Sequence, residues 1–177
     1  MLTLRGLKAA LRRSPDTTME LSGPKIASSP MSSAPFVWRS DGRPDWRVMW
    51  GDFCELALFG GPPHRGPGTP LRAVVEPDPL VDTVGTIAEI QRGIWETTGL
   101  DSDLVRAGWL GIPCESRRMA AWMCAAIILE NVDALCEDEC LLVPASERFT
   151  VENEVKSIIT VVAKIHHYWI EHVCGRG

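Results

Sequence analysis

Hydrophobic residues recur along much of the chain at the three- and four-residue spacing of helices that bury one face. This spacing predicts four helices, over residues 46–59, 80–98, about 116–131 and about 150–173. Asp45 and Asp78 are typical N-cap residues for the first two helices, and Gly60 and Gly99 are typical stops. The third helix carries apolar residues on every side, so we expect it to be the central, buried helix.

The segments VDALC and CLLVP, on either side of Glu137, Asp138 and Glu139, indicate two short strands around a polar turn. Residues 100–113 combine Gly and Pro with few periodic positions and predict a short turn of helix followed by a loop. The predicted fold class is therefore mainly α within the α+β class. It has about four helices around a buried central helix and one β-hairpin between the third and fourth helices.

Periodicity is nearly absent from residues 14–44, which are rich in Ser, Pro, Gly and Thr. We therefore predict a basic, Pro/Ser-rich extension or arm over residues 1–44 and a single globular helical domain over residues 45–177. The basic residues that open the chain fit a loose extension or a misassigned start, with Met31 as another beginning, better than an organellar transit peptide.

The length and composition are those of an ordinary globular protein, with 177 residues, 45% hydrophobic residues and 23% charged residues. The net charge of −5 divides unevenly, because residues 1–48 carry eight basic and four acidic side chains. The remaining body is acidic and would repel a phosphate backbone, which argues against nucleic acid as a partner. The longest apolar run, residues 119–129, is shorter than the ~20 residues of a membrane-spanning helix.

Six cysteines occur in a chain that is long and aliphatic enough to fold without disulfides. No secretory signal opens the sequence, so thiols in a reducing cytoplasm are the expected state and location.

Polar side chains on three otherwise apolar helix faces mark the first candidate site. At 100° per residue, His166 lies within the apolar stripe of the last helix, and Gln91 and Glu130 lie within those of the second and third. A buried carboxylate and a buried imidazole both need partners, so Glu130 and His166 are expected to meet, with Gln91 close by.

Such a centre has two functional interpretations and one structural one. Glu130 and His166 would form a general acid/base pair, or they would ligate a metal ion with Cys124 or His64 as a third ligand. In the structural interpretation, His166 is a satisfied core histidine and Glu130 reaches water near its helix end.

The loop GGPPHRGPGTP, residues 60–70, is the second candidate. Its glycines and prolines would present His64 and Arg65 as donors to a small anionic molecule, with Arg65 gripping the anion bidentately. It lacks the spacing of a phosphate-binding or dinucleotide-binding loop. The alternative is a rigid surface turn with solvated side chains.

The cysteines supply the third candidate. Cys114 precedes the third helix, where exposed backbone N–H groups favour a thiolate, and it is the best-placed nucleophile. Cys136 and Cys140 flank the acidic turn and would form a cross-hairpin disulfide under oxidation.

Seven tryptophans and an unevenly charged surface favour an accessory or interaction protein that docks on a protein partner or forms a homo-oligomer. The alternatives are a small metal- or acid/base-dependent enzyme centred on Glu130 and His166, and a domain that binds a small ligand in a Trp-lined pocket.

Overall fold

The computed structural model describes residues 36–50, 63–74 and 85–171, which form a mixed α+β fold. Its helices are α1 (Thr86–Thr98), α2 (Arg117–Leu129) and α3 (Lys156–Trp169), and residues 46–50 are also helical. A π-helical turn, Val151–Val155, leads directly into α3.

Four strands form one antiparallel sheet in the order β1-β2-β4-β3. They are β1 (Asp103–Arg106), β2 (Trp109–Pro113), β3 (Leu135–Glu137) and β4 (Cys140–Pro144). The two middle strands pair over five residues, and β1 and β3 lie at the edges.

This sheet shows that the predicted mainly α fold with one hairpin is wrong. Residues 100–113, expected to be a turn of helix and a loop, instead supply β1 and β2 with a tight turn at Gly108 (φ 80°). Strand β2 is buried over Trp109–Ile112, on both faces, so its sequence lacks the alternation of a half-exposed strand. Gly111 and Pro113 also weaken the strand signal in the sequence, because Gly and Pro are disfavoured inside strands. Pro113 is tolerated because it lies at the last position of β2.

Alternate residues of the middle strands line the inner face of the sheet. Leu110 is opposite Val143 and Ile112 is opposite Leu141, and all four side chains are fully buried. On the outer face, Gly111 leaves room for its neighbours, since a Cβ there would lie 2.7 Å from Val105 Cγ1.

The central helix is α3, and the prediction that the third predicted helix (α2) is central is wrong. Helix α3 packs against both α1 and α2, and every residue from Lys156 to Ile165 except Thr160 is buried. Helix α2 keeps an exposed side that includes Arg118 and Ile128. Because this part of α3 is covered on almost every side, Lys156, Ser157 and Lys164 also lie inside the protein.

Residues 36–50 are attached to α1 by a network of charged groups. Glu89 accepts hydrogen bonds from Trp46 Nε1 (2.7 Å) and from Arg43 (3.0 Å), and it also bonds Arg92. Burial by itself raises the pKa of Glu89, but the hydrogen bonds from Arg92, Trp46 and Arg43 lower it below its ordinary value. No helix within these described ranges has the length and apolar content to span a bilayer.

Candidate functional site

The segment 63–74 lies along the connection between α2 and β3 and covers part of α3. Leu71 forms a parallel bridge with Val132, and its N–H donates to the carbonyl of Asn131 (3.0 Å). Asn131 adopts a positive φ of 60°, a conformation that asparagine tolerates, and its amide donates to the carbonyl of Arg65 (2.7 Å). The chain after α2 therefore holds the loop in place.

Glu130, the residue that follows α2, connects this loop to α3. One of its carboxylate oxygens bonds Lys164 Nζ (2.8 Å), and the other accepts the backbone N–H of His64 (2.6 Å). The side chains of Lys164 and Glu130 are only 5% and 12% exposed. A buried ion pair of this kind is stable only because each charge has its partner and further hydrogen bonds.

Arg65 fixes the exposed end of the same loop. Its Nε donates to the carbonyl of Thr69 (2.7 Å), and its Nη1 donates to Asn153 Oδ1 (3.0 Å) and to Ser157 Oγ (2.9 Å). These contacts hold the loop against the start of α3, and they occupy two of the nitrogens that the predicted bidentate grip of Arg65 on an anion would use.

The imidazole of His64 lies beneath this loop and is 2% exposed. Neither ring nitrogen has a hydrogen-bond partner among the described residues. Burial, together with the charges of Lys164, Arg65 and Lys156, lowers the pKa of His64 to about 3. His64 is therefore neutral near pH 7, with one nitrogen that donates and one that accepts.

The expected pairing of Glu130 with His166 is not found, because Glu130 is bonded to Lys164 instead. His166 is half-buried, and burial lowers its pKa while the charge of Glu115 partly offsets that effect. Gln91 donates to the carbonyl of Ser102 (2.7 Å), away from any such pair.

Cys114 and Cys124 have thiols rather than thiolates. Burial is the largest cause that raises the pKa of each to about 11, and the charges of neighbouring groups contribute, including those of Cys140 and Glu115 for Cys114. A raised pKa disfavours the thiolate that the predicted role of Cys114 as a nucleophile requires. Within the described ranges, no group of three or more His, Cys, Asp or Glu side chains is arranged to hold a metal ion, so Glu130, His166 and Cys124 do not form the expected centre.

The strand register also separates the two hairpin cysteines. Cys136 is opposite Leu141, and Cys140 is opposite Glu137. Directly opposed residues share a face and successive residues alternate, so Cys136 and Cys140 point to opposite faces of the sheet. A disulfide between them would need the strands to rearrange.

A second candidate surface is an open groove of about 540 Å³ between the segment 36–50 and the C-terminal turn of α1. Its lining includes Trp50, Trp95, Arg39, Arg47 and Glu96, and we call it the tryptophan groove. Arg39 is bonded to Glu96 (2.9 Å), so these two charges compensate each other. Trp95 is 55% exposed, which is unusual for so large an apolar side chain.

Sequence reasoning missed the two groups that matter most here, Lys164 and Trp95. On a helical wheel of the last helix, Lys164 lies opposite the apolar stripe, which predicts a solvated lysine. The wheel of the second predicted helix puts Trp95 within the apolar stripe, which predicts a core residue. No signal in the sequence distinguishes an exposed tryptophan from a buried one at the same helical spacing.

Comparisons with protein-family models, with curated proteins and with solved structures found no match to this chain. The function is therefore inferred from the residues and their geometry.

Proposed function

We propose that this chain is an interaction protein that docks on a protein partner through the tryptophan groove. The observation that supports this proposal is the exposure of Trp95 (55%) at the edge of a groove that also contains Trp50 and two arginines. Tryptophan and arginine are the residue types that most often dominate the free energy of protein association.

The segment 36–50 exposes further apolar side chains. Trp38 is 50% exposed and stacks on Phe36, with ring centroids 5.1 Å apart. Val48, one residue after Arg47, is 45% exposed. Large apolar side chains exposed on the same segment as the groove are a feature that protein contact sites share.

The charges of the groove indicate the chemistry of the partner. Arg39 is neutralised by Glu96 and by Asp45 (3.4 Å). Arg47 is exposed, and none of the ion pairs among the described residues includes it. A partner segment with a carboxylate for Arg47 and an apolar side chain for the tryptophans would complement both features. We therefore propose an acidic segment with an apolar anchor as the occupant.

The four described cysteines are free thiols, which supports a cytoplasmic location for this function. A homo-oligomer formed through the same groove, or a small ligand held between the tryptophans, are the other outcomes of the test below.

Selection from a random peptide display library on the full-length protein tests the proposal. We expect enriched peptides to combine Asp or Glu with an aromatic or aliphatic residue. Trp95→Ser should weaken their binding at least about thirtyfold, the usual effect of truncating a hot-spot tryptophan. Arg47→Gln should weaken binding by a smaller factor, because an exposed ion pair contributes at most about 1 kcal/mol.

Leu104→Ser is the matched control, since Leu104 is 52% exposed on β1 and does not line the groove. The proposal is wrong if no peptide is enriched, or if the enriched peptides bind Trp95→Ser as tightly as the unaltered protein. Sedimentation velocity of the unaltered protein and of Trp95→Ser measures whether each of them forms a dimer. A dimer that Trp95→Ser dissociates would assign the groove to self-association instead.

A further inference from the structure

The tryptophan groove is built by two segments that are distant in the sequence. Arg47 and Trp50 come from the segment 36–50, whereas Trp95 and Glu96 come from the last turn of α1. The width and shape of the groove therefore depend on where the segment is held against α1. A side chain that fixes this position would control partner binding without touching the partner.

Glu89 of α1 lies at the centre of the contacts that hold the segment. It is 7% exposed and does not line the groove. Its carboxylate accepts hydrogen bonds from Trp46 Nε1 (2.7 Å) and from Arg43 (3.0 Å), and it also bonds Arg92 of α1. Hydrogen bonds to an ionised group are about twice as strong as those between neutral groups. One buried carboxylate therefore joins two residues of the segment to the helix.

Arg92 extends this connection to the groove itself. Its guanidinium donates to the carbonyl of Pro44 (2.8 Å) and to Glu96 (2.7 Å), which lines the groove. Glu96 also accepts a hydrogen bond from Arg39 of the segment (2.9 Å). Because Glu89 fixes Arg92, it also orients the Glu96–Arg39 pair that joins the two walls of the groove.

A second connection runs through the helical turn 46–50. Trp46 is 2% exposed and packs against α1, where a Cβ on Gly93 would lie 3.1 Å from Trp46 Cδ1. Residues four apart in a helix lie on the same side, so Trp50 lies one turn beyond Trp46. The hydrogen bond to Glu89 and the packing against Gly93 together fix the indole of Trp46, and with it the position of Trp50.

We infer, on the basis of the proposed function, that Glu89 is a positioning residue for the tryptophan groove and holds residues 36–50 on α1 in the arrangement that a partner binds. Without its charge, Arg43 and Arg92 each lose a charged partner. Part of the molecules then leave the binding arrangement, and the apparent affinity falls with the fraction that remains. By linkage, a bound partner stabilises the attachment of the segment by the same factor.

Peptide binding to Glu89→Gln tests this role, with the peptide most enriched in the selection described above. We expect the dissociation constant to rise at least about threefold, which corresponds to loss of the binding arrangement in about two-thirds of the molecules. Removing a negative charge beside the groove would by itself favour an acidic peptide, so weaker binding cannot come from charge alone. The indole N–H signal of Trp50 should also shift in the NMR spectrum of Glu89→Gln.

Glu130→Gln is the matched control. It also removes a buried carboxylate from an ion pair, but Glu130 bonds Lys164 and the loop 63–74 rather than the groove. A merely structural role of Glu89 would give the two variants the same effect, whereas we expect Glu130→Gln to bind the peptide normally and to leave the Trp50 signal in place.

Arg43→Gln breaks one of the same bonds from a side chain that is 51% exposed and does not line the groove. It should weaken binding by more than Arg72→Gln, which removes an exposed arginine from the loop 63–74. If Glu89→Gln does not fold, this comparison decides.

The inference is overturned if Glu89→Gln binds the peptide as tightly as the unaltered protein, or if Glu130→Gln weakens binding by the same factor. Peptides that need Trp95 but tolerate Glu89→Gln would leave the proposed function intact. A selection that enriches no peptide would overturn both.

Discussion

Replacing Glu130 by Gln tests whether the ion pair between α2 and α3 holds the interior together. The change keeps the shape of the side chain and its ability to accept the His64 N–H, but removes its negative charge. Lys164, 4% exposed, would then carry a buried charge without its partner. Removing one member of a buried ion pair costs about 3–5 kcal/mol. We expect about 3 kcal/mol here, because the acceptor for His64 remains.

A double-mutant cycle separates the charge effect from simple loss of packing. Lys164→Met should also cost about 3 kcal/mol, since it leaves the carboxylate with one backbone donor. The double variant has no uncompensated charge, and we expect it to be no less stable than either single variant. Urea unfolding followed by tryptophan fluorescence measures all three. Such a loss is large against the total stability of about 5–15 kcal/mol of a typical domain.

The control is Arg72→Gln. Arg72 and Asp133 approach to 2.6 Å, closer than Glu130 and Lys164, but the arginine side chain is 71% exposed. An exposed pair contributes at most about 1 kcal/mol. If Glu130→Gln cost no more than Arg72→Gln, or if the two single effects simply added in the double variant, the buried pair would not have the role described here.

Three further changes have definite expected outcomes. The pKa of His64 is about 3 in the folded protein and 6.5 ordinarily, so the stability that the neutral ring contributes is complete above pH 6.5 and is lost as the pH falls toward 3. We expect the free energy of unfolding, measured with urea, to fall by roughly 2 kcal/mol at pH 5. His64→Gln should abolish this pH dependence. Gly93→Ala should destabilise the protein by about 1–3 kcal/mol, because the added Cβ would lie 2.2 Å from Ile159 Cδ1. This clash outweighs the better helix propensity of alanine. Thermal unfolding measures the effect, and an unchanged melting temperature would contradict the prediction. Among the four described cysteines, the exposed Cys136 should react first with iodoacetamide at pH 7.5. Cys114 should react far more slowly because its pKa is raised. Peptide mass spectrometry measures both rates, and equal rates would refute the raised pKa of Cys114.

Helical periodicity is the part of the fold that sequence predicts well, because it is a local property. Helix α2 lies within the predicted range 116–131, and Ser116 caps it by accepting the N–H of Met119 (3.2 Å). The sheet was not predictable in the same way. Strand β2 is buried on both faces, and its pairing with β4 joins segments about 30 residues apart, which no local pattern records.

The polar centre was predicted in part, and the error has a physical origin. Sequence reasoning correctly placed Glu130 inside the protein, where it needs a partner. It chose His166 because a helical wheel divides each helix into a buried and a solvated side. Helix α3 has no solvated side along most of its length, since the loop 63–74 covers the face that holds Lys164.

The structure shows that part of the positive charge near the N-terminus is compensated within the protein. A basic N-terminal part beside an acidic body predicts docking on a protein partner or on a second copy of the chain. Arg39 and Arg43 instead bond Glu96 and Glu89, so carboxylates of α1 compensate these two positive charges and attach residues 36–50 to the helix. Exposed ion pairs contribute little free energy, whereas burial of an exposed tryptophan contributes about 1.5–3 kcal/mol or more. Affinity at the groove should therefore come mainly from Trp95, while the remaining free arginine selects which segments can bind.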